Sequence, residues 1–378
     1  MKFKTLKYRI YPTQIQQDYF AKEFGANRFI YNYCLNLQIK KYSIDKSKYS
    51  KFDLNSEITK LTRNPSYSWL KEVNSQSLRT QSENLEVAFT KFFKKQGGFP
   101  KFKSKKDNNK KFKTYQNTHL IGNRLKIPKL KTLIKVKLDK RTVDGTIQNV
   151  TISKTPTNKY FASVTYKLTN EIIPIQKPIC ENQAVGIDLG IKTFATISDG
   201  NSIENPKHFK KSLRKIKILN KRFSKKTIGS KNKEKARLKL ALQHEKVANQ
   251  RQDFLHKVTT NLVKNYSTIC LETLNVKNMV KNHSLALSIS DLGIGYFNQM
   301  IDYKSKLAGV NILRIGQFEP SSKMCSCGTI NKNLTLSDRN WTCSTCNTTH
   351  DRDELASNNI KKFAFIKHNQ NTVRYTEI

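Results

Sequence analysis

The sequence predicts a multidomain chain that joins an α+β part to an α/β part. The first is a small β-barrel with a helical block inserted into it; the second is a strand–helix domain carrying a four-cysteine insertion. Three observations predict this. Stretches of alternating polarity at 2–11 and 112–170 flank a region of helical periodicity. Beyond residue 184, apolar strands alternate with long helical patterns. Cys325, Cys327, Cys343 and Cys346 fall within 22 positions. A chain of 378 residues has room for two or three domains.

In order along the chain, residues 2–11 put Leu6, Tyr8 and Ile10 on one face of a strand. From about 13 to 96 the period is helical, through Phe20, Phe24, Phe29, Tyr33 and Leu37 and again through Leu78, Leu85, Phe89 and Phe93, with a break at Pro65. Residues 97–113, GGFPKFKSKKDNNKKFK, have no period and read as an exposed basic loop. Short strands follow over 112–170, and HLIGNRLKI is a hairpin turning at Gly122-Asn123 or Asn123-Arg124. With the strand at 2–11 they could close the barrel around the inserted helices. Two prolines mark 171–183 as a linker. AVGIDLGIKTFATISDG then gives an apolar strand ending at Asp188, a turn at Gly190 and a second strand. Residues 206–240 carry 15 Lys+Arg against one Glu, and helical periodicity over 235–265 makes them a charged helical hairpin. STICLE is a strand ending in Glu272, 292–308 is helical, VNILRI is a strand, and 353–366 begins a helix with Asp353 in its first turn.

The 70 Lys+Arg against 28 Asp+Glu leave a net charge of +42. Self-repulsion of that size calls for a polyanionic partner, and nucleic acid is the one it fits. The 20 Phe and 15 Tyr exclude a wholly disordered basic tail. No run approaches the ~18 apolar residues of a membrane span, and MKFKTLKYRIYPTQ lacks the apolar centre of a signal peptide, so a cytoplasmic protein is expected. Phe99, Phe102, Phe112 and Tyr115, interleaved with lysines, are candidates for stacking on bases or for anchoring their own loop.

Two constellations carry chemistry. Acids are scarce here, yet Asp188 and Glu272 end apolar strands and Asp353 opens a helix. Carboxylates so placed are costly to desolvate unless a cation offsets them. Converging, they suit Mg²⁺, and two such ions ~3.5–4 Å apart activate water against a phosphodiester. The other reading makes them helix caps or surface acids. In the second constellation, Cys325-Ser-Cys327 and Cys343-x-x-Cys346 can supply four thiolates to one Zn²⁺, and His350, four residues past Cys346, is a substitute ligand. Cys34, Cys180 and Cys270 lie among apolar residues and read as core positions.

Read together, AVGIDLGIKTFATIS, CLETLNVKNM and HDRDELASNNI resemble the three split motifs of a RuvC-type nuclease, and the four cysteines sit just before the third. The co-linear order resembles the TnpB family, transposon-encoded RNA-guided DNA endonucleases related to type V CRISPR effectors. YRIYPTQIQQ with FGANRFIYNYCLN is similar to that family's N-terminus. WLKEVNSQSLRTQSENLEVAFTKFFK and GFPKFKSKK are similar to its recognition region, KARLKLALQHEKVANQRQDFLHK to its nuclease helices, and PSSKMCSCG with WTCSTCNTTHDRD to its finger.

The resemblance implies a wedge β-barrel over 1–11 and 112–180 and a helical recognition domain over 12–111. It implies an RNase H-like RuvC domain over 181–320 and 350–378, with a zinc finger at 321–349. It implies catalysis and Mg²⁺ binding by Asp188, Glu272 and Asp353, with Asp351 a bystander, and Zn²⁺ on Cys325, Cys327, Cys343 and Cys346. Gln76, Lys101, Lys103, Lys105, Lys106 and Arg251 are the candidate nucleic-acid contacts. The implied partners are a guide RNA and target double-stranded DNA. Leu355 departs from the family, which usually has Asn there, and the C-x-C pair is one residue short. The competing readings are a nuclease-dead RNA-guided repressor, expected to have lost acids, and a transposase acting on its own element. The latter would want a nucleophilic tyrosine with a histidine pair, or another acid spacing.

Overall fold

β1 (Phe3–Tyr11) opens the first of two units, Met1–Ile172, in a computed structural model that describes residues 2–107, 110–141, 143–171, 174–335 and 338–376. Three helices follow it. α1 (Gln14–Asp45) starts at a capping box, in which the Thr13 hydroxyl accepts from the Gln16 N–H and the Gln16 side chain accepts from the Thr13 N–H. α2 (Lys51–Arg63) repeats the device with Ser50 and Asp53. A 3₁₀ turn at Pro65–Glu72 follows the expected break, and α3 (Ser75–Phe93) is capped by Asn74. Glu23 of α1 is wholly buried at the start of α3, where it accepts from the Tyr19 and Ser77 hydroxyls (2.6 Å each) and the Asn74 N–H (2.8 Å). Burial pushes its pKa up against these three hydrogen bonds and a fourth from the Asn27 amide (3.2 Å), and the carboxylate pins α3 to α1.

The remaining strands of the unit are β2 (Lys110–Thr114), β3 (His119–Ile121), β4 (Arg124–Lys126), β5 (Ile134–Lys137), β6 (Gly145–Lys154) and β7 (Tyr160–Leu168). With β1 they form one antiparallel seven-stranded sheet, ordered β2-β6-β7-β1-β5-β4-β3. Among the described residues the expected barrel is an open sheet: its edges β2 and β3 are not paired with each other, and the ladder runs out in two strands of three residues. Leu6, Tyr8 and Ile10 face its core beside Phe20 and Phe24 of α1 and Phe112 of β2. The hairpin turns at Gly122-Asn123, with Gly122 at φ 54 and Ile121 opposite Arg124.

The second unit, Ile173–Ile378, is built on a five-stranded sheet. Its strands are β8 (Ala184–Leu189), β9 (Thr193–Ile197), β10 (Ser202–Glu204), β11 (Thr268–Glu272) and β12 (Asn311–Ile315), in the order β10-β9-β8-β11-β12. β8, β11 and β12 are parallel; β9 and β10 return antiparallel. The charged hairpin is α4 (His208–Ser224) and α5 (Lys231–Asn265). α6 (Val276–Met279), α7 (His283–Leu292) and α8 (Ile294–Ala308) lead to β12. The finger strands β13 (Asn340–Thr342) and β14 (Thr349–Asp351) pair antiparallel, and α9 (Arg352–Thr376) closes the chain's regular structure. Val185, Ile187, Phe194, Leu255, Ile269 and Phe297 centre the core. Cys34 and Cys270 are buried as expected, and burial pushes both thiols up to about 12. Cys180 is not: it lies exposed in the linker, whose prolines keep it off any strand.

Candidate metal centres and catalytic carboxylates

One glycine sets the carboxylate geometry. A Cβ on Gly186 would stand 2.0 Å from the Ser357 carbonyl oxygen and 2.8 Å from the Lys361 nitrogen, so only glycine lets α9 lie this close to β8. Asp188 follows Gly186 by two residues on the same face of the strand, and Asp353 precedes Ser357 by one helical turn. On β11, Leu271 sits opposite Ile187, so Glu272 and Asp188 are the next residues on adjacent parallel strands. Three acids far apart in sequence are thereby placed around two strand ends and one helix start.

Each is already engaged by the protein. Loss of hydration, then the charges of Glu272 and Asp353, pushes Asp188 up to about 7; Arg352 and Arg339 oppose this. Burial raises Glu272, against a 2.7 Å hydrogen bond from the Ser321 hydroxyl. Ser321 is in turn held by Asn359 of α9, whose amide donates to the Ser321 and Met324 carbonyls at 2.8 and 2.6 Å. Arg339 grips both oxygens of Asp353 at 3.1 Å. Asp351 accepts from the Asp353 and Glu354 N–H groups at 2.9 and 3.0 Å, the geometry of a helix N-cap. A cavity of about 270 Å³ opens beside Arg339, Asp351 and Asp353.

Among the described residues, the four cysteine sulfurs are the metal-competent group that converges, all within 4.8 Å of one another. Cys325 and Cys346 sulfurs are 3.5 Å apart and those of Cys327 and Cys343 3.6 Å, close to the ~3.8 Å edge of a tetrahedron with 2.3 Å Zn–S bonds. Hydrogen bonding to Thr329, side chain first, pulls Cys327 down to about 6, and the Cys346 and Thr345 N–H groups lower Cys343. The three carboxylates share a neighbourhood but do not reach that spacing as a set. Leu355 is explained by its placement: it is buried with Cys325, Leu334, Trp341 and Cys343 in the finger's own core.

Three family models match in chain order. HTH_OrfB_IS605, "Helix-turn-helix domain", covers 1–47; OrfB_IS605, "Probable transposase", covers 163–283; the Cas12f1-like TNB domain covers 295–360. A Streptomyces pristinaespiralis protein with the provisional name RNA-guided DNA endonuclease is 32% identical over 94% of this chain and 88% of its own. The chain belongs to the TnpB family. An Escherichia coli K12 relative, provisionally named RNA-guided DNA endonuclease InsQ, is 29% identical over 95% of this chain and 92% of its own. In fold, the TnpB chain is similar to the protein in a solved Cas12f1–sgRNA–target DNA complex, with TM-score 0.51 at 15% identity over 95% of this chain and 98% of that one.

The basic candidates of this TnpB chain separate by placement. Lys103, Lys105 and Lys106 line a cavity of about 830 Å³ with Gln81, Lys111 and Lys154, while Lys101 is exposed outside it. Lys103 lies 3.5 Å over the Tyr31 ring, and burial, then Lys111, lowers its ammonium to about 8. Gln76 donates to the Gln116 side chain at 2.6 Å. Arg251 turns inward: it pairs at 3.0 Å with Asp291, which also accepts from the Phe209 and Lys210 N–H groups at the start of α4. Phe112 is core and Tyr115 donates to Glu83, while Phe99 and Phe102 are both exposed, Phe99 packing edge-on against Phe89 and Phe92. Sequence reasoning missed Arg339 and Ser321. Arg339 lies outside the quoted motifs and Ser321 reads only as part of the finger segment PSSKMCSCG; each reaches its acid only through the finger's fold.

Proposed function

We propose that this chain is an RNA-guided DNA endonuclease that hydrolyses DNA phosphodiesters at one RuvC-type site formed by Asp188, Glu272 and Asp353. One observation carries the reading. In a protein of net charge +42, three acids are set around β8, β11 and α9 so that two of them raise the pKa of the third. Local charge of that sign, on hard oxygen donors, fits divalent cations of the Mg²⁺ class. When bound, a Mg²⁺ pair supplies Lewis acidity toward the scissile phosphate and its water. Asp188, Glu272 and Asp353 hold the cations, Ser321 fixes the rotamer of Glu272, and Arg339 carries positive charge to the edge of the same site. The four cysteines fit Zn²⁺ through their soft donors and tetrahedral spacing.

In this reading the first unit joins a wedge sheet to a recognition bundle, and the second is a nuclease with an inserted finger. The basic cavity at Lys103, Lys105 and Lys106 and the α4–α5 hairpin bind guide RNA and target DNA through phosphates, and base pairing to the guide supplies sequence choice. The test is to purify the chain from cells carrying its own element, sequence the RNA that accompanies it, and challenge the complex with duplex DNA matching that RNA. Mg²⁺-dependent cutting of the matched duplex alone is expected. A chain that retains no RNA, or cuts without regard to it, overturns the reading.

A further inference from the structure

His350 stands where the finger meets the catalytic helix. Its Nε2 lies 3.0 Å from the Cys325 sulfur, yet the group of four converging sulfurs does not include it. The ring is held by its neighbours. Trp341 is its partner across the β13–β14 pair, with ring centroids 5.0 Å apart. The next residue, Asp351, caps α9, and the residue two beyond that is Asp353.

We propose that His350 is the hydrogen-bond donor to the metal-bound thiolate of Cys325, an outer member of the zinc centre that ties metal occupancy to the start of α9. A metal-bound thiolate offers only lone pairs, so Nε2 must carry the proton; a bare nitrogen there would face the sulfur lone pair to lone pair. A charge-assisted bond of this kind fixes the ring and takes up part of the sulfur's negative charge, as outer-shell partners do at metal sites. Because His350 and Asp351 are consecutive, what holds the imidazole also holds the cap. Leu355 supports the same junction from its apolar side, buried with Cys325 and Trp341.

The inference rests on reading the cysteines as a zinc centre, and the experiment separates the two. Full-length chain is loaded with zinc, and transfer to a colorimetric chelator is timed. Unmodified chain that holds no zinc ends the zinc reading itself. If it holds zinc, His350→Phe, which keeps a ring against Trp341 without the donor, is expected to lose the metal about 10–100-fold faster. His350→Gln, whose amide still donates, recovers most of the difference. Hydrogen exchange of the backbone over 349–356 slows on zinc loading in the unmodified chain and in His350→Gln, and not in His350→Phe. The cobalt-loaded chain shows a four-sulfur spectrum that keeps its d–d pattern in His350→Phe. Should His350→Phe not fold, nitrogen-15 NMR of histidine-labelled unmodified protein decides, with a proton on Nε2 of His350 expected. Native release rates in His350→Phe overturn the proposal. So does a cobalt spectrum that loses a nitrogen ligand, or a proton-free, metal-bound Nε2.

Discussion

In the finger, four sulfurs lie within 4.8 Å of one another; at the strand ends of the same unit, Glu272 is tied to Ser321 and Asp353 to Arg339. The contrast follows from how each set is held. Cys325/Cys327 and Cys343/Cys346 are local pairs, closed by tight turns in which the Cys325 N–H donates to the Thr329 carbonyl and the Cys343 N–H to the Thr348 carbonyl. The sulfurs sit among hydroxyl and N–H groups of the same turns, which lower Cys327 and Cys343. The carboxylates come from three elements: burial first, and then repulsion from Glu272 and Asp353, pushes Asp188 up to about 7. The chain alone thus brings the four sulfurs together, while the carboxylates, which under the proposed function hold hard cations, meet positive charge from Arg339 at Asp353.

The sharpest break in that comparison is chemical. Asp188→Ala is expected to lower single-turnover cleavage by about 10³-fold or more, the loss of roughly 4 kcal/mol of transition-state stabilisation, with guide-RNA binding intact. Undiminished cutting would place the catalytic centre elsewhere. The counterpart in the finger is Cys343→Ser, which should abolish stoichiometric zinc and deprotect backbone amides over 321–351, because structural zinc sites contribute their binding energy directly to folding. Metal analysis and hydrogen exchange check both halves. Gly186→Ala comes next. Its methyl would overlap the backbone of α9 at 2.0 Å, so α9 must shift, at about 1–3 kcal/mol or more, and the loss of melting temperature should be accompanied by weaker Mg²⁺ binding.

The sequence already carried the strand and helix order, the acids and the cysteines, because those rest on local periodicity and spacing. The open edge of the first sheet was not legible. Alternation in HLIGNRLKI marks strands and a turn, but whether β3 reaches β2 depends on ladder length and twist that no local pattern encodes. Arg251 hid its pairing for a similar reason. It sits in a basic helix, and only the fold brings Asp291 and the start of α4 under it. Likewise Leu355 reads as a departure at the catalytic motif until the finger's core is seen to be its neighbour.

A pH series sharpens the electrostatic half. The folded pKa of Asp188 is raised above its ordinary value, so this group favours the folded state fully below about 3.8, and that contribution is lost as pH rises through about 7. The metal-free chain should therefore lose stability from this group progressively between about pH 4 and pH 7, and Mg²⁺ should restore it at the alkaline end. Cation binding must displace the Asp188 proton, so Mg²⁺ affinity falls by up to about tenfold per unit below pH 7. Calorimetric titration at pH 6 and 8 checks it. An affinity flat across that range would mean that Asp188 gives up no proton to the metal.

The smallest expected effect bears on the borrowed charge. Arg339 reaches both oxygens of Asp353 from the finger loop, and its side chain remains 46% exposed, so the pair is worth no more than about 0.2–1 kcal/mol. Arg339→Gln frees Asp353 and removes a cation from the neighbourhood of Asp188, so Mg²⁺ should bind up to about fivefold more tightly. The same change withdraws a charge that opposes the rise of Asp188, so the Asp188 pKa moves further up and part of that gain disappears at acid pH. The two consequences have opposite signs and different pH dependence: a tighter site at pH 8 that converges on the native affinity near pH 6 is the signature of a guanidinium holding the place of a metal ion.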